Sequence, residues 1–330
     1  FATTVEHRFT NANDGSIFFD GEGTATITYT GLEPVLDTIA ATDRIFSFLG
    51  AAETISLTDG GIGGQSQIDS TLGESVIFTH PTGTLTINTE ASGGSGADTV
   101  NLDGVDGAFT ANLTVNAGTD DIINTGTVDI GAGVLDLTGG QVFVNGAFTT
   151  TGSVDVDATF GDITFAAAGS IDAGASAIDL TAFFNVESLN VTTTSEVRVT
   201  ATGGGINDLT GNALITADRA ALRVGGPGGI TGIDTNVNTL ATSVASGAFT
   251  IDNTGNLEIG TVDGLSGITA AASQIFLTTT GTLLVSDTVT GGAVDLRSNG
   301  TMTISDNVSA STGTLKLQNF GGDFVLNSPA

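Results

Sequence analysis

Residues 281–299 read GTLLVSDTVTGGAVDLRSN, and residues 300–319 read GTMTISDNVSASTGTLKLQN. The two stretches are consecutive copies of one unit, and each copy begins with glycine. Apolar residues follow at the second, fourth and eighth positions after that glycine. Short alternating runs of β-forming residues between Gly, Ser and Asn turns predict strands. A repeat of about 20 residues predicts one turn of a solenoid, which buries its apolar face only by stacking on its neighbours.

The same Gly-x-apolar-x-apolar opening recurs upstream, at 126–130, 140–144, 152–156, 169–173 and 255–259. We therefore predict an all-β chain in which residues 96–330 form a parallel β-helix, or β-solenoid. At roughly 20 residues per turn and about 4.8 Å between strands, residues 96–319 would give about eleven coils and a rod on the order of 50 Å long. Strand spacing is less regular in residues 1–95, which predicts an irregular N-terminal β module or cap.

Three local expectations accompany this architecture. Residues 32–41 (LEPVLDTIAA) are compatible with a short helical turn, because Pro34 would lie in its first turn. Residues 203–247 contain two glycine-rich interruptions, so we expect bulging loops there. Eight phenylalanines are expected to fill the interior: Phe109, Phe143, Phe148, Phe160, Phe165, Phe183, Phe184 and Phe249.

Charge and composition exclude several classes of function. The chain has 36 acidic and 7 basic residues, a net charge of −29, and no cysteine. Such a surface repels phosphate backbones and anionic lipids, so we expect no nucleic-acid partner and no membrane insertion. The absence of cysteine excludes disulfides, a thiol nucleophile and a cysteine-based zinc site. The chain starts at Phe1 without a signal-peptide pattern, and we interpret it as a mature product or as part of something longer.

The sequence of residues 251–319 resembles the repeats of filamentous-haemagglutinin-type adhesins and of giant β-strand-repeat bacterial surface proteins. Residues 27–34 (ITYTGLEP), 53–61 (ETISLTDGG) and 83–104 are similar to modules of the same giant proteins. The resemblance implies a right-handed parallel β-helix, export to the cell surface, and a role in adhesion, envelope or filament structure. It implies no catalytic residues, and it implies that this chain is one segment of a longer protein.

Residues 93–101 (GGSGADTVN) fit the GGxGxDxUx calcium nonapeptide, in which glycine turns direct carbonyl and carboxylate oxygens at the cation. Residues 116–121 (NAGTDD) are a degenerate second copy. The candidate calcium ligands are therefore Asp98, Asp103, Asp106, Asp120 and Asp121. The alternative is a glycine-rich turn in which the acid is solvated or caps the turn.

Other polar residues give weaker signals. Asp155, Asp157 and Asp162, and the matched pair Asp287 and Asp306, could form acidic ladders, although simple solvated turn acids are the alternative. His7 and His80 are the only imidazoles, and neither lies in a catalytic motif. The one basic cluster is Arg198, Arg219 and Arg223.

The leading functional hypothesis is a non-enzymatic structural or adhesive rod or filament subunit at the surface of a bacterium. Its partners would be further copies end to end, further segments of a longer chain, or host or surface glycans. One alternative is a β-helix lyase or hydrolase acting on polysaccharides, but the chain has few of the basic and aromatic residues such enzymes use. Another is a phage-fibre-like or ice-binding solenoid. Because residues 300–319 are regular and residues 323–327 start another strand, we expect the last coil to be covered in the native assembly.

Overall fold

The computed structural model describes residues 2–11, 13–20, 27–31, 34–89 and 97–327. Every helix or strand assigned within these residues is a β-strand, and parallel pairing stacks the strands into coils. The prediction of an all-β parallel solenoid is therefore confirmed. The chain divides into two compact units, the first comprising Phe1–Phe160 with Ala168–Ala173 and the second Gly161–Ala167 with Gly174–Ala330.

The first unit opens with a region that contains antiparallel pairs. Its strands are β1 (Ala2–Asn11), β2 (Asp14–Phe19), β3 (Ile27–Thr30), β4 (Val35–Asp37), β5 (Ala41–Phe48), β6 (Thr54–Asp59), β7 (Gln65–Ser70), β8 (Val76–Thr79) and β9 (Thr84–Asn88). Strands β1 to β3 are antiparallel neighbours, and so are β6 to β8. Strand β5 pairs parallel with both β1 and β9, so the antiparallel segments join the sheet that the coils continue.

The remaining strands of the first unit stack in parallel. They are β10 (Thr99–Gly104), β11 (Asn112–Asn116), β12 (Asp121–Asp129), β13 (Leu135–Gly139), β14 (Val142–Val144), β15 (Ala147–Thr149), β16 (Val154–Ala158) and β18 (Ser170–Asp172). In-register pairing of β9, β11, β13 and β16 places Leu85, Leu113, Leu135 and Val154 in one buried row. The apolar interior follows from strand alternation, because every second side chain points inward.

The second unit is also built from stacked parallel strands. Its strands are β17 (Ile163–Phe165), β19 (Ile178–Ala182), β20 (Val186–Glu187), β21 (Asn190–Thr192), β22 (Glu196–Ala201), β23 (Gly205–Asn207), β24 (Leu214–Val224), β25 (Gly229–Val244), β26 (Phe249–Asn253), β27 (Leu257–Ile259), β28 (Thr261–Val262), β29 (Leu265–Ser266), β30 (Ile268–Thr279), β31 (Leu283–Val285), β32 (Val289–Ser298), β33 (Met302–Ile304), β34 (Val308–Ala310), β35 (Leu315–Asn319) and β36 (Phe324–Leu326). Leu283 lies opposite Met302, and Val285 lies opposite Ile304. The two repeat copies, at 281–299 and 300–319, are therefore stacked in register.

A row of buried polar side chains follows one corner of the second unit. Thr235, Asn253, Thr279 and Ser298 occupy successive in-register positions and are all buried. The Thr235 hydroxyl donates to Oδ1 of Asn253 at 2.8 Å, and the Ser298 hydroxyl donates to the carbonyl of Gly300 at 2.7 Å. These bonds give partners to polar groups that the turn of each coil removes from water.

The expectation for the eight phenylalanines is correct for four of them. Phe109, Phe148, Phe165 and Phe249 are buried. Phe143 is half-buried because it occupies the outward position between two inward valines of β14. The other three point into solvent, with 65% of Phe160, 47% of Phe183 and 46% of Phe184 exposed. Phenylalanine content alone does not reveal which face of the strand a residue occupies, and these positions fall on the outside or in turns.

Of two other expectations, one is partly correct and one is wrong. The glycine-rich interruptions in 203–247 are bends, at 202–204 and 226–228, but most of the segment forms two long strands, β24 and β25, of 11 and 16 residues. Their glycines lie where successive coils approach closely, since a side chain at Gly226 would clash with the backbone of Gly203. Within 32–41, Val35–Asp37 is strand β4, which pairs parallel with β8. The apolar Val35 and Leu36 extend this sheet instead of starting a helical turn; residues 32 and 33 lie outside the described residues.

Candidate functional site

Two predicted calcium ligands, Asp98 and Asp120, belong to a row of three buried acids. Glu53, Asp98 and Asp120 directly precede β6, β10 and β12, which pair parallel and in register, so the three acids stack. Oδ1 of Asp98 accepts the N–H of Glu53 at 2.9 Å, and Oδ1 of Asp120 accepts the N–H of Asp98 at 2.9 Å. Each aspartate of this carboxylate row therefore ties one coil to the coil before it.

Burial affects the first acid of the carboxylate row. Burial raises the pKa of Glu53, and the neighbouring charge of Asp98 acts in the same direction against a hydrogen bond from Ser70. The hydroxyl of Thr89 donates to Oδ2 of Asp120 at 2.7 Å. A hydrogen bond of this kind gives a buried carboxylate oxygen a partner in place of water. The sequence signal for the row is an acid placed immediately before each alternating strand.

Asp103 and Asp106 have other protein partners. Asp103 accepts a hydrogen bond from the hydroxyl of Thr125. Oδ1 of Asp106 accepts the N–H of Gly64 at 2.8 Å and that of Ala108 at 3.1 Å. These backbone bonds hold the pKa of Asp106 below its usual value, and they give it the geometry of a turn-capping aspartate.

Asp121 opens β12 and is half-buried. Burial raises its pKa, and the charge of Asp120 adds to this effect against a hydrogen bond from Gln141. Gly93–Gly96 of the calcium nonapeptide lie outside the described residues. Among the residues that are described, no group of three His, Cys, Asp or Glu side chains is arranged to hold a metal ion. Calcium binding stays a prediction.

The acids that the sequence suggested as ladders differ in their surroundings. Asp155 lies opposite Asp136 on the neighbouring strand, so two carboxylates do face each other there. Asp162 accepts hydrogen bonds from the backbone and the side-chain amide of Asn185. Oδ2 of Asp287 accepts a hydrogen bond from a threonine hydroxyl at 2.7 Å. Asp162 and Asp287 therefore have hydrogen-bonding partners within the protein.

A buried charged cluster lies in the N-terminal region, and the sequence analysis missed it. Nε2 of His7 lies 2.8 Å from Oδ2 of Asp37, and the guanidinium of Arg44 contacts the same oxygen. All three side chains are almost fully buried, and the His7 ring packs 5.2 Å from the ring of Phe46. The available signal was the alternation of His7 with the apolar residues of β1, which directs it inward.

The pKa values of this cluster follow from burial and pairing. Burial lowers the pKa of His7 and outweighs the opposing effect of Asp37. Burial alone would raise the pKa of Asp37, but hydrogen bonding to His7 and the charge of Arg44 outweigh it, so that pKa lies below its usual value. The pair Asp37 and Arg44 is therefore charged in the folded state, with His7 as a neutral hydrogen-bonding partner.

His80 is close to a serine hydroxyl, the pairing that nucleophilic catalysis uses. Oγ of Ser66 lies 3.0 Å from Nε2 of His80, and the imidazole makes an edge contact with Phe109. Ser66 is fully buried, so its hydroxyl has no open side from which a substrate could be attacked. Burial lowers the pKa of His80 against the charge of Asp106. The contact fixes β7 against β8 rather than presenting a nucleophile.

The basic cluster lies on one outer face of the second unit, and each of its arginines is paired with an acid. Arg219 lies 3.6 Å from Glu196, and Arg198 lies 3.5 Å from Asp263. Nη2 of Arg223 lies 2.7 Å from Oδ2 of Asp263. Asp263 was missed by the sequence analysis, although an Asp-Gly dipeptide between two short β-forming pairs (residues 261–266, TVDGLS) is a hairpin signal.

Comparisons with known proteins add no relative. No family model matches the chain, and no curated protein or solved structure is significantly similar to it. The part of the chain that the structure describes has no helix with the length and hydrophobicity needed to cross a membrane.

Proposed function

We propose that this chain is a non-enzymatic structural or adhesive element of a bacterial cell surface, working as a rod or filament subunit. The observation that carries the proposal is the unbroken stacking of in-register apolar rows, such as Leu85, Leu113, Leu135 and Val154. A unit built from one repeated element offers a regular outer surface on its stacked coils. Such a surface suits scaffolding and attachment.

The hydrogen bonds between coils support a mechanical role. The parallel backbone ladders and the carboxylate row both connect successive coils of the first unit. The polar corner row, with its Thr235 to Asn253 bond, does the same in the second unit. Because each coil is bonded to the next by many groups at once, pulling two coils apart breaks those bonds together.

Charge and partners are consistent with an extracellular location. A net charge of −29 keeps exposed surfaces apart and soluble. The chain's partners in this proposal are further copies of itself end to end, further segments of a longer chain, and glycans of a host or neighbouring surface. Calcium remains a candidate ion for its acidic turns.

The alternative is a polysaccharide lyase or hydrolase, for which the basic cluster is the specific observation. A lyase needs a base free to abstract a proton and a cation free to stabilise the charge that develops. Arg198, Arg219 and Arg223 are each paired with acids, and the hydroxyl of Ser66 is buried. These contacts favour the non-enzymatic proposal.

A deletion strain of the source bacterium tests the proposal. We expect it to lose adhesion or envelope cohesion and to regain it on complementation with the wild-type chain. If the chain has a structural role, an Arg198→Gln/Arg223→Gln double variant should restore envelope cohesion as fully as the wild-type chain does. Depolymerisation of acidic polysaccharides by the purified wild-type chain, abolished in that double variant, would instead establish the enzyme.

A further inference from the structure

Three consecutive coils of the second unit align an unusual outward row. Thr200, Arg223 and Ser243 are in register on β22, β24 and β25, and all three side chains are half-buried on the outer face. Parallel strands lie about 4.8 Å apart, so the row presents one guanidinium with one hydroxyl on each side of it. Thr202 adds a third hydroxyl just beyond the end of β22.

The hairpin formed by β28 and β29 folds over the neighbouring positions of the same face. Ala221 and Ala241 point outward next to the row, and Val262 of the hairpin packs on them in a buried cluster with Leu265 at its edge. Small side chains at these two positions leave room for the hairpin. Without the hairpin, this outer face would be open like the others.

The hairpin is held by its own turn residue. Asp263 has a positive φ of 50°, and both its carbonyl and its carboxylate accept hydrogen bonds from Nη2 of Arg223 at 2.7 Å. Arg198 lies 3.5 Å from the same carboxylate. Arg223 is thus a fixed donor, and its charge is largely neutralised by Asp263.

A cavity of about 300 Å³ opens between the hairpin and the row. It is lined by Thr200, Thr202, Arg223, Val224, Ser243 and Leu265, together with Gly225. Within the described part of the chain, the hydroxyls of Thr200, Thr202 and Ser243 have no side-chain hydrogen-bond partner. Convergent polar groups beside an apolar wall are the usual composition of a small-ligand site, and this volume lies at the small end of the range of roughly 300–1,000 Å³.

We infer that this hairpin-walled cavity binds one neutral sugar unit of a glycan. Three hydroxyls can donate or accept, and the guanidinium donates, which matches the alternating hydroxyls of a sugar ring. Leu265 of the hairpin offers an apolar wall to the C–H face of the ring. An anionic sugar is disfavoured, because Asp263 already neutralises Arg223 and the chain carries a net charge of −29. The inference rests on the adhesive part of the proposed function and supplies its ligand class.

The test measures binding of the full chain to immobilised oligosaccharides, followed by titration calorimetry with the best ligand. The immobilised oligosaccharides are neutral hexose and N-acetylhexosamine oligomers and, as a separate set, uronate oligomers. We expect binding to a neutral oligomer. Thr200→Val and Ser243→Ala should each weaken it at least tenfold, because both remove a hydroxyl and keep the strand intact. Leu265→Ala should weaken it through the lost apolar wall.

Arg219→Gln is the matched control, because Arg219 lies on the same strand as Arg223 but does not line the cavity. It should leave the affinity unchanged, and all variants should melt within a few degrees of the wild type. The inference is overturned by binding to uronates only, by no saccharide binding, or by neutral-sugar binding that Thr200→Val and Ser243→Ala leave intact. Each of these results leaves the deletion phenotype, which tests the structural role, unaffected.

Discussion

At the scale of single residues, burial decides what each polar group does. The Asp37 carboxylate, the Arg44 guanidinium and the His7 ring are all removed from water, and they balance one another. Removing one partner from such a group leaves an uncompensated polar atom, which costs more than the pair contributes. The exposed acids of the outer face carry no such penalty.

The His7 pKa predicts how stability depends on pH. Burial holds this pKa below its ordinary value of 6.5, so below pH 6.5 the unfolded chain binds a proton that the folded chain does not. Stability therefore falls on acidification, by up to about 1.4 kcal/mol per pH unit for one proton. Asp37 contributes only at lower pH, because its folded pKa lies below 3.8.

Urea unfolding between pH 7.5 and 5 measures this effect. As the pH is lowered, we expect the free energy of unfolding of His7→Gln to fall less steeply than that of the wild type. His80→Gln is the comparison variant, since His80 also has a lowered pKa but is less buried. Parallel pH profiles for wild type and His7→Gln would show that His7 is protonated equally in both states.

The phenylalanines give a second prediction at this scale. Phe148 is 1% exposed and Phe160 is 65% exposed, and both belong to the first unit. Phe148→Ala should destabilise the fold by about 3–5 kcal/mol through the cavity it leaves. Phe160→Ala should change stability by less than about 0.5 kcal/mol. Chemical denaturation of both variants tests this prediction. Equal losses of stability would mean that the two side chains are not placed as described.

At the scale of elements, two glycines that precede strands, Gly133 and Gly140, have a specific role. A side chain at Gly140 would clash with the carbonyl oxygen of Thr119 in the preceding coil, and one at Gly133 would clash with that of Ala111. These glycines are needed for close contact between coils rather than for an unusual backbone angle. Register and coil spacing therefore depend on them.

Gly140→Ala should destabilise the fold by about 1–3 kcal/mol, because the methyl group meets backbone rather than a side chain that can move. Gly107→Ala is the matched control, since no atom lies within 4 Å of its would-be methyl group. It should be neutral or stabilise by about 0.4–1 kcal/mol, because alanine restricts the unfolded chain. Thermal melts compare the two, and a harmless Gly140→Ala would contradict the close packing of coils.

The elements also show how far the sequence could predict the structure. Residues 281–319 were predictable because each strand there has the same inward positions as the next. Residues 203–247 were not, because their glycines act through contacts with other coils, which a local pattern does not contain. The cavity for which we propose sugar binding was out of reach for the same reason. Its row joins Thr200, Arg223 and Ser243 through stacking, and only the arginine stood out in the sequence.

At the scale of the whole molecule, the charge of −29 predicts a response to calcium. A cation that binds only the folded chain stabilises it by mass action, and it relieves repulsion among the acids. We expect a higher melting temperature in millimolar calcium than in chelator, with magnesium at equal ionic strength as the control for screening. Identical melting temperatures in all three conditions would contradict calcium binding. The acids would then serve only to accept hydrogen bonds from turns and backbone amides, as Asp98 and Asp120 do.

The central claim is that this solenoid serves as a structural or adhesive element outside the cell. Immunogold electron microscopy of intact cells of the source organism, beside a strain that lacks the chain, tests it most directly. The account predicts gold label on fibres or on a continuous layer at the outer surface, absent from the deletion strain. Label confined to the cytoplasm, or a protein recovered only as a monodisperse 32.8 kDa monomer with no surface label, would contradict it.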